Sequence, residues 1–196
     1  MFANIAEIIT DKLEKNGAFI SEDRDIYLYG AQHGLNMLLF LCSVALIGFV
    51  LNVFWYIILF LIAFVPLRRF AGGHHASTQL KCHIVSTVAL VCIGLAPRFV
   101  NIHGTLMVVL ILALGSFIML MAPIGTKNKP LDALEVKVYG KKARKICVIE
   151  IVIAILCILI GIPAITTGIF WSFVMVLLLL VLGKLLGDKG DITLDE

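Results

Sequence analysis

The sequence predicts an all-α, polytopic integral membrane protein with six transmembrane helices and an N-terminal amphipathic helix at the membrane interface. Of its 196 residues, 61% are hydrophobic and only 15% are charged. The mean hydropathy is +1.05, and the apolar residues occur in long runs separated by short polar segments. Because a soluble domain is normally about half apolar, this composition excludes one. We expect a single membrane-embedded domain over residues 1–196.

The N-terminal segment, residues 1–34, is expected to be cytoplasmic and interfacial. Within residues 2–20, apolar side chains recur near helical spacing with charges between them, which is typical of an amphipathic helix lying on the membrane surface. The segment is acidic and lacks the basic start and short apolar run of a cleaved signal peptide. The first membrane helix is therefore expected to act as its own insertion signal.

Six spans are expected within residues 35–187. The apolar run from Leu35 to Pro66 is too long for one helix across a hydrocarbon core of about 30 Å, so it predicts two helices with a turn near Asn52. The other four spans are expected at Ile84–Ala96, on a helix that begins near Thr78, and at Thr105–Ala122, Ile146–Ile165 and Ile169–Leu186, with turns at Pro97–Arg98 and Pro163–Gly168.

The basic residues test this count, since loops rich in Lys and Arg stay on the cytoplasmic side of a membrane. With six spans and a cytoplasmic N-terminus, all of the 16 Lys and Arg residues except Arg98 fall on that side. The topology predicts cytoplasmic loops at residues 67–83 and 123–145 and a cytoplasmic tail at residues 188–196. The net charge of +3 then reflects loop placement, and without a nucleic-acid-binding motif we expect no nucleic-acid partner.

The polar break from Arg68 to Lys81 is the most chemically dense part of the chain, and Cys82 follows it directly. A cysteine thiolate attacks carbonyl groups, and an imidazole can generate the thiolate and protonate the leaving amine. His75 and Cys82 are therefore the candidate catalytic pair. Seven residues on a straight helix rise about 10.5 Å, so the chain must bend between the two side chains.

Glycine and hydroxyl residues in the break can supply this bend. Gly72 and Gly73 permit irregular backbone, and Gly73 can give a substrate backbone close access. Ser77 or Thr78 can cap a helix that carries Cys82 in its first turns.

Other interpretations of the same residues stay open. Together with His75 and Cys82, His74 and His83 are a candidate metal-ligand set, although no HExxH or paired CxxC motif accompanies them. We expect no metal and no cofactor.

In the alternative interpretation of Arg68, this residue only anchors the second span at the lipid headgroups. A small peptide exporter and a noncatalytic membrane scaffold are the alternative functions. The other four cysteines are interpreted as apolar packing residues, namely Cys42, Cys92, Cys147 and Cys157.

The pattern Arg-x4-Gly-x-His-x6-Cys, formed here by Arg68, Gly73, His75 and Cys82, resembles the accessory gene regulator B family. These proteins are membrane cysteine endopeptidases of bacterial peptide quorum sensing. Residues 25–30, with the sequence DIYLYG, and residues 122–131, which contain Ala-Pro and Lys-Asn-Lys-Pro-Leu, are also similar to the family. His74 stands where family members commonly carry another residue such as tyrosine, and the seven-residue spacing selects His75 as the base.

The resemblance implies a thiol protease of the bacterial cell membrane with both termini and the active site in the cytoplasm. Its substrate would be a small precursor peptide with an amphipathic leader and an acidic C-terminal tail. Cys82 would release the tail as an acyl-enzyme, and ring closure to a thiolactone or lactone would give a cyclic autoinducing peptide. Arg68, Gly73, Lys127 and Lys129 would bind the substrate. A homodimer is also implied.

Overall fold

The structure, a computed structural model, describes residues 3–74, 78–100, 102, 104–125 and 131–185. Within these residues the chain forms seven α-helices and no β-strand. A short 3-10 helix, Ser21–Asp23, lies between the first two α-helices. The helices are α1 Ala3–Lys15, α2 Arg24–Val50, α3 Phe54–Ala71, α4 Gln79–Phe99, α5 Gly104–Met121, α6 Ala133–Leu159 and α7 Pro163–Leu185.

The first helix is amphipathic, as the sequence predicted, and it is attached to the start of α2. Ala6 and Thr10 are fully buried on one side of α1, whereas Ile5 and Ile8 are exposed on the other. Arg24, the first residue of α2, forms ion pairs with Asp11 at 2.9 Å and with Glu14 at 3.6 Å. Helix α2 begins at Arg24, well before the apolar run that starts at Leu35. The residues between them include polar side chains, so hydrophobicity alone did not place them in the helix.

Two of the predicted turns are displaced in the structure, and both displacements involve proline. The turn near Asn52 is confirmed, with a positive φ of 55°. The turn expected at Pro97–Arg98 is wrong, because α4 includes both residues and Val100 N–H still donates to the Ala96 carbonyl at 2.9 Å. The turn expected at Pro163–Gly168 is also wrong. Pro163 is the first residue of α7, a position that needs no backbone N–H donor.

The loop expected at residues 123–145 is largely helical. Asp132 accepts a hydrogen bond from Glu135 N–H, and the Glu135 carboxylate accepts one from Asp132 N–H, which together form a capping box. Helix α6 therefore begins at Ala133 and carries the basic residues on its first turns. The loop expected at residues 67–83 is likewise shorter, since α3 ends at Ala71 and α4 begins at Gln79.

Five of the described helices are long and apolar enough to cross a membrane, namely α2, α3, α4, α5 and α7. The protein is therefore a multi-pass membrane protein. Helix α6 is not among the five, because its N-terminal half is rich in Lys and Arg.

Two groups of buried side chains hold the helices together. The larger group lies between α3, α5, α6 and α7 and centres on Leu67, Ile111 and Phe173. The smaller group joins α2, α3 and α4 through residues such as Ile57 and Leu90. Helix α3 contributes to both groups, so its C-terminal end is held firmly where the polar break begins.

Two glycines of α7 allow close packing within the chain. A Cβ at Gly168 would lie 3.3 Å from the backbone of Leu59 and Phe60. A Cβ at Gly183 would lie 2.8 Å from the His74 nitrogen. Gly168 therefore lets α7 approach α3 closely, and Gly183 lets it approach the polar break.

Candidate active site

Directly after α3, the polar break contains two glycines whose backbone fits against a neighbouring segment. Gly72 and Gly73 have φ angles of 71° and 104°. Ile124 N–H donates to the Ala71 carbonyl at 3.0 Å, and Gly73 N–H donates to the Ile124 carbonyl at 3.1 Å. A Cβ at Gly72 would lie 2.0 Å from the Ile124 oxygen. Glycine is thus required here by both its φ and its surroundings.

Helix α7 and Arg68 hold the next residue of the break. His74 N–H donates to the Leu179 carbonyl of α7 at 2.9 Å. The Arg68 Nη2 group donates to the His74 carbonyl oxygen. A Cβ at Gly73 would lie 2.7 Å from the Leu179 oxygen and 3.0 Å from Arg68 Nη1. The absence of a side chain at Gly73 therefore lets the break pass between α7 and the Arg68 guanidinium.

Cys82 lies in the first turn of α4, as the sequence predicted. Thr78 is the N-cap, with an extended backbone and an Oγ1 that accepts a hydrogen bond from Lys81 N–H at 3.3 Å. Cys82 N–H donates to the Thr78 carbonyl at 3.0 Å. The extended conformation of Thr78 excludes one straight helix from His75 through Cys82, which agrees with the predicted bend.

Cys82, Arg68 and His74 line the same cavity, whose volume is about 200 Å³. The guanidinium of Arg68 is close enough to Cys82 for an electrostatic interaction with it. Arg68 Nη1 is buried, and among the described residues it has no hydrogen-bond partner. The cavity is thus lined by a nucleophile, Cys82, and by a cationic donor, Arg68 Nη1, that has no partner among the described residues.

Polar contacts with α2 fix the start of α4 from the other side. Asn36 Nδ2 donates to Gln79 Oε1 at 3.0 Å, and Ser43 Oγ lies 3.3 Å from His83 Nε2. His83 therefore contacts α2 and does not line the cavity that Cys82 shares with Arg68. Within the described part of the chain, no group of three His, Cys, Asp or Glu side chains could hold a metal ion.

The structure brings together part of the predicted site. Arg68 and Cys82 share the cavity, and Gly73 lies beside it in the break. The predicted positions His75, Lys127 and Lys129 lie outside the described residues. The sequence offered His74 only as a candidate metal ligand, and the structure places it on the cavity wall. Its position next to His75 was the only sequence signal for a place at this site.

The chain is similar to known proteins of one family over almost its whole length. The family model described as Accessory gene regulator B matches residues 6–182. Two AgrB-like proteins of Clostridium perfringens are each 29% identical to the chain. The match to the strain 13 protein covers 82% of this chain and 78% of the relative, and the match to the strain SM101 protein covers 93% and 87%.

A staphylococcal relative matches over a shorter region. The accessory gene regulator protein B of Staphylococcus aureus strain MW2 is 34% identical over 91 residues, which is 46% of this chain and 49% of the relative. No solved structure matches the chain. Because the family model covers nearly the whole sequence, the chain belongs to the accessory gene regulator B family.

Proposed function

We propose that this protein is a membrane cysteine endopeptidase that removes the C-terminal tail of a small precursor peptide and promotes its cyclisation for quorum sensing. Family membership supports a role in the accessory gene regulator system. The single observation that carries the proposal is the position of Cys82, which lies in the first turn of α4 and shares a cavity with Arg68 and His74. Such a site can bring a carbonyl group to a thiol beside a fixed positive charge.

In the first step, the Cys82 thiol gives its proton to the His75 imidazole, and the sulfur attacks the carbonyl carbon that joins the ring segment to the tail. The carbonyl π electrons move to oxygen, and a tetrahedral intermediate forms. When it collapses, the C–N bond breaks and the imidazolium protonates the departing amine. The tail leaves with a new N-terminus, and the rest of the peptide stays on Cys82 as a thioester.

Arg68 is our candidate for stabilising the oxygen of this intermediate. One side of its guanidinium donates to the His74 carbonyl, and Nη1 is buried without a hydrogen-bond partner among the described residues. A buried donor without an acceptor is costly, and a substrate oxygen next to Cys82 would supply that acceptor. Charge stabilisation of this kind is strong because the donor is already oriented.

Ring closure needs no further reagent. A cysteine thiol of the bound peptide attacks the thioester carbonyl, the Cys82 sulfur departs, and the proton passes from the attacking thiol to Cys82 through the imidazole. One thioester replaces another, so the activated acyl group is conserved and a thiolactone forms. A serine hydroxyl at the same position would give a lactone.

Lys127 and Lys129 are proposed to bind the acidic tail. Ile124 is bonded to the polar break at both Ala71 and Gly73, and Lys127 follows it by three residues. The two lysines thus follow a residue that contacts the break, and their positive charge would attract and orient an acidic segment.

Two adjacent imidazoles are candidates for the base. We assign the role to His75 because its spacing to Cys82 completes the Arg-x4-Gly-x-His-x6-Cys motif. His74 lines the cavity with Cys82, which makes it the second candidate. His75 follows His74 directly in the sequence.

We further propose that α6 is the sixth span and that the site faces the cytoplasm. Its mostly apolar part, from Ile146 to Leu159, contains Glu150 and is short for a span. The long basic side chains before it can reach the headgroups while their stems stay in the apolar layer. Six spans place the basic half of α6 on the same side as Arg68 and both termini. A homodimer is also proposed, on family resemblance alone.

The test is to co-express the protein with the precursor peptide encoded beside its gene and to follow the peptide by mass spectrometry. Wild type should produce a C-terminal cut and a retained fragment lighter by one water than the linear acid. Cys82→Ala should abolish the cut with normal expression. Equal cutting by wild type and Cys82→Ala would remove the protease proposal, and intact peptide outside the cell in both would favour an exporter.

A further inference from the structure

The cavity beside Cys82 extends far from its polar groups. Arg68, His74 and Cys82 lie at one end, and most of the remaining wall is apolar. On α4 the cavity is lined by residues that recur every three or four positions, namely Cys82, Val85, Ser86, Ala89, Leu90 and Ile93. This spacing follows one helix face, so the cavity descends along α4 for up to about 16 Å from the thiol.

Aromatic and aliphatic side chains of three other helices form the rest of the apolar wall. Phe60 and Phe64 of α3 line it and stack on each other with ring centroids 5.2 Å apart. Phe40 comes from α2, and Met175 and Leu179 come from α7. Phe60 is almost fully buried and belongs to the smaller core group, so this part of the wall is preformed.

We propose that this cavity is the acyl-side specificity pocket of the peptidase, which binds a large apolar side chain on the precursor residue whose carbonyl Cys82 attacks. The inference rests on the proposed function. The attacked carbonyl carbon is bonded directly to the Cα of that residue, so its side chain begins next to the reacting atoms. With the carbonyl at Cys82 and Arg68, the nearest concave surface for the side chain is the apolar wall.

The size and chemistry of the cavity select this occupant. A volume of about 200 Å³ accommodates one large side chain rather than a folded peptide segment. Below the thiol, Ser86 is the polar residue of the wall, so a charged side chain that reached the apolar end would be desolvated and separated from Arg68. A lipid acyl chain would fit the apolar end, but it would compete with the substrate at the position that the thiol must reach.

The substrate itself provides the first test. Full-length protein in lipid nanodiscs is given the precursor encoded beside its gene, with the residue before the cut changed in turn to Phe, Leu, Ala and Asp. We expect kcat/KM to be about tenfold to a hundredfold higher for Phe and Leu than for Ala, and lowest for Asp. Equal rates for all four peptides would overturn the proposal.

A variant of the wall provides the second test. Ala89→Phe fills the apolar end, so the preference should reverse and the Ala peptide should be cut faster than the Phe peptide. Val88→Phe is the matched control, because Val88 is the neighbouring residue of α4, is 56% exposed and does not line the cavity. It should keep the wild-type preference. Equal preferences in Ala89→Phe and wild type would contradict the pocket.

The two experiments distinguish an error in the pocket proposal from an error in the proposed function. If no peptide is cut in a Cys82-dependent manner, the peptidase proposal falls and the pocket falls with it. If cutting depends on Cys82 but ignores the residue before the cut, only the pocket is wrong. A phospholipid that copurifies with wild type and is lost from Ala89→Phe, with unchanged peptide preference, would make the cavity a lipid site instead.

Discussion

Replacing Gly183 by alanine should impair the active site, although Gly183 lies on α7 and none of the predicted site residues belongs to that helix. The new Cβ would lie 2.8 Å from the His74 nitrogen and 3.1 Å from Gly73 Cα and carbonyl carbon. Ordinary van der Waals contact begins at about 3.4 Å, so the break and α7 must separate by about 0.6 Å, the difference between 3.4 and 2.8 Å. The atoms in the way belong to the backbone and cannot rotate aside.

This separation weakens the bond that holds the break on α7. His74 N–H donates to the Leu179 carbonyl at 2.9 Å, and an increase of about 0.6 Å takes this distance beyond hydrogen-bonding range. The loss of one buried hydrogen bond costs about 0.5–1.5 kcal/mol, so the protein should still fold. Catalysis should suffer more, because a displacement approaching 1 Å can lower a rate about a hundredfold. We expect the cutting rate to fall about tenfold to a hundredfold.

The assay compares the cutting rate with thermal stability in the same detergent. Gly34→Ala is the matched control, because Gly34 is also helical and, among the described residues, no atom lies within 4 Å of a Cβ there. This control should cut at the wild-type rate and melt at the same temperature or slightly higher. A Gly183→Ala protein that cuts and melts like wild type would refute the packing argument.

Three further substitutions test separate parts of the site. Arg68→Lys keeps the charge but loses the forked donor, so kcat should fall about a hundredfold with a smaller change in KM; an unchanged kcat would contradict the role of Nη1. Asp132→Ala removes the cap of α6, so it should lower the free energy of unfolding by about 1 kcal/mol and change the cutting rate little. Thermal melting measures the loss of stability, and an unchanged melting temperature would refute the role of the cap. Changing Lys127 and Lys129 together to Glu should raise KM for a precursor with an acidic tail but not for one whose tail is neutral, and an equal change for both peptides would remove the tail-binding role.

Local sequence signals predicted those parts of the fold that depend on adjacent residues. Asn52 marked a turn and Thr78 marked a helix start, and both are confirmed. The start of α6 also had a local signal, the pair Asp132 and Glu135, but the density of Lys and Arg after it favoured a loop. A charged segment can be helical when its backbone is capped, because charge opposes membrane burial and not helix formation.

The candidate site was predictable only in part, for a physical reason. The motif paired Arg68 with Cys82, and the cavity brings these two side chains together. The sequence did not indicate that Arg68 donates to the His74 carbonyl or that Leu179 accepts from His74 N–H. These bonds join residues distant in sequence, and their partners are backbone atoms, which every residue has. No pattern of side chains could reveal them.

The bonds around the break explain why a flexible sequence can form a precise site. Two glycines in succession favour disorder, yet Gly73 N–H and His74 N–H are both bonded to residues outside the break, and Arg68 binds the His74 carbonyl. The glycines therefore provide close approach, and α7 and Ile124 provide rigidity. Because the packed apolar helices anchor these contacts, the thiol and the guanidinium keep a fixed relation before substrate arrives, as electrostatic catalysis requires. Substitutions on the buried face of α7 should consequently change the cutting rate through the break as well as through the stability of the bundle.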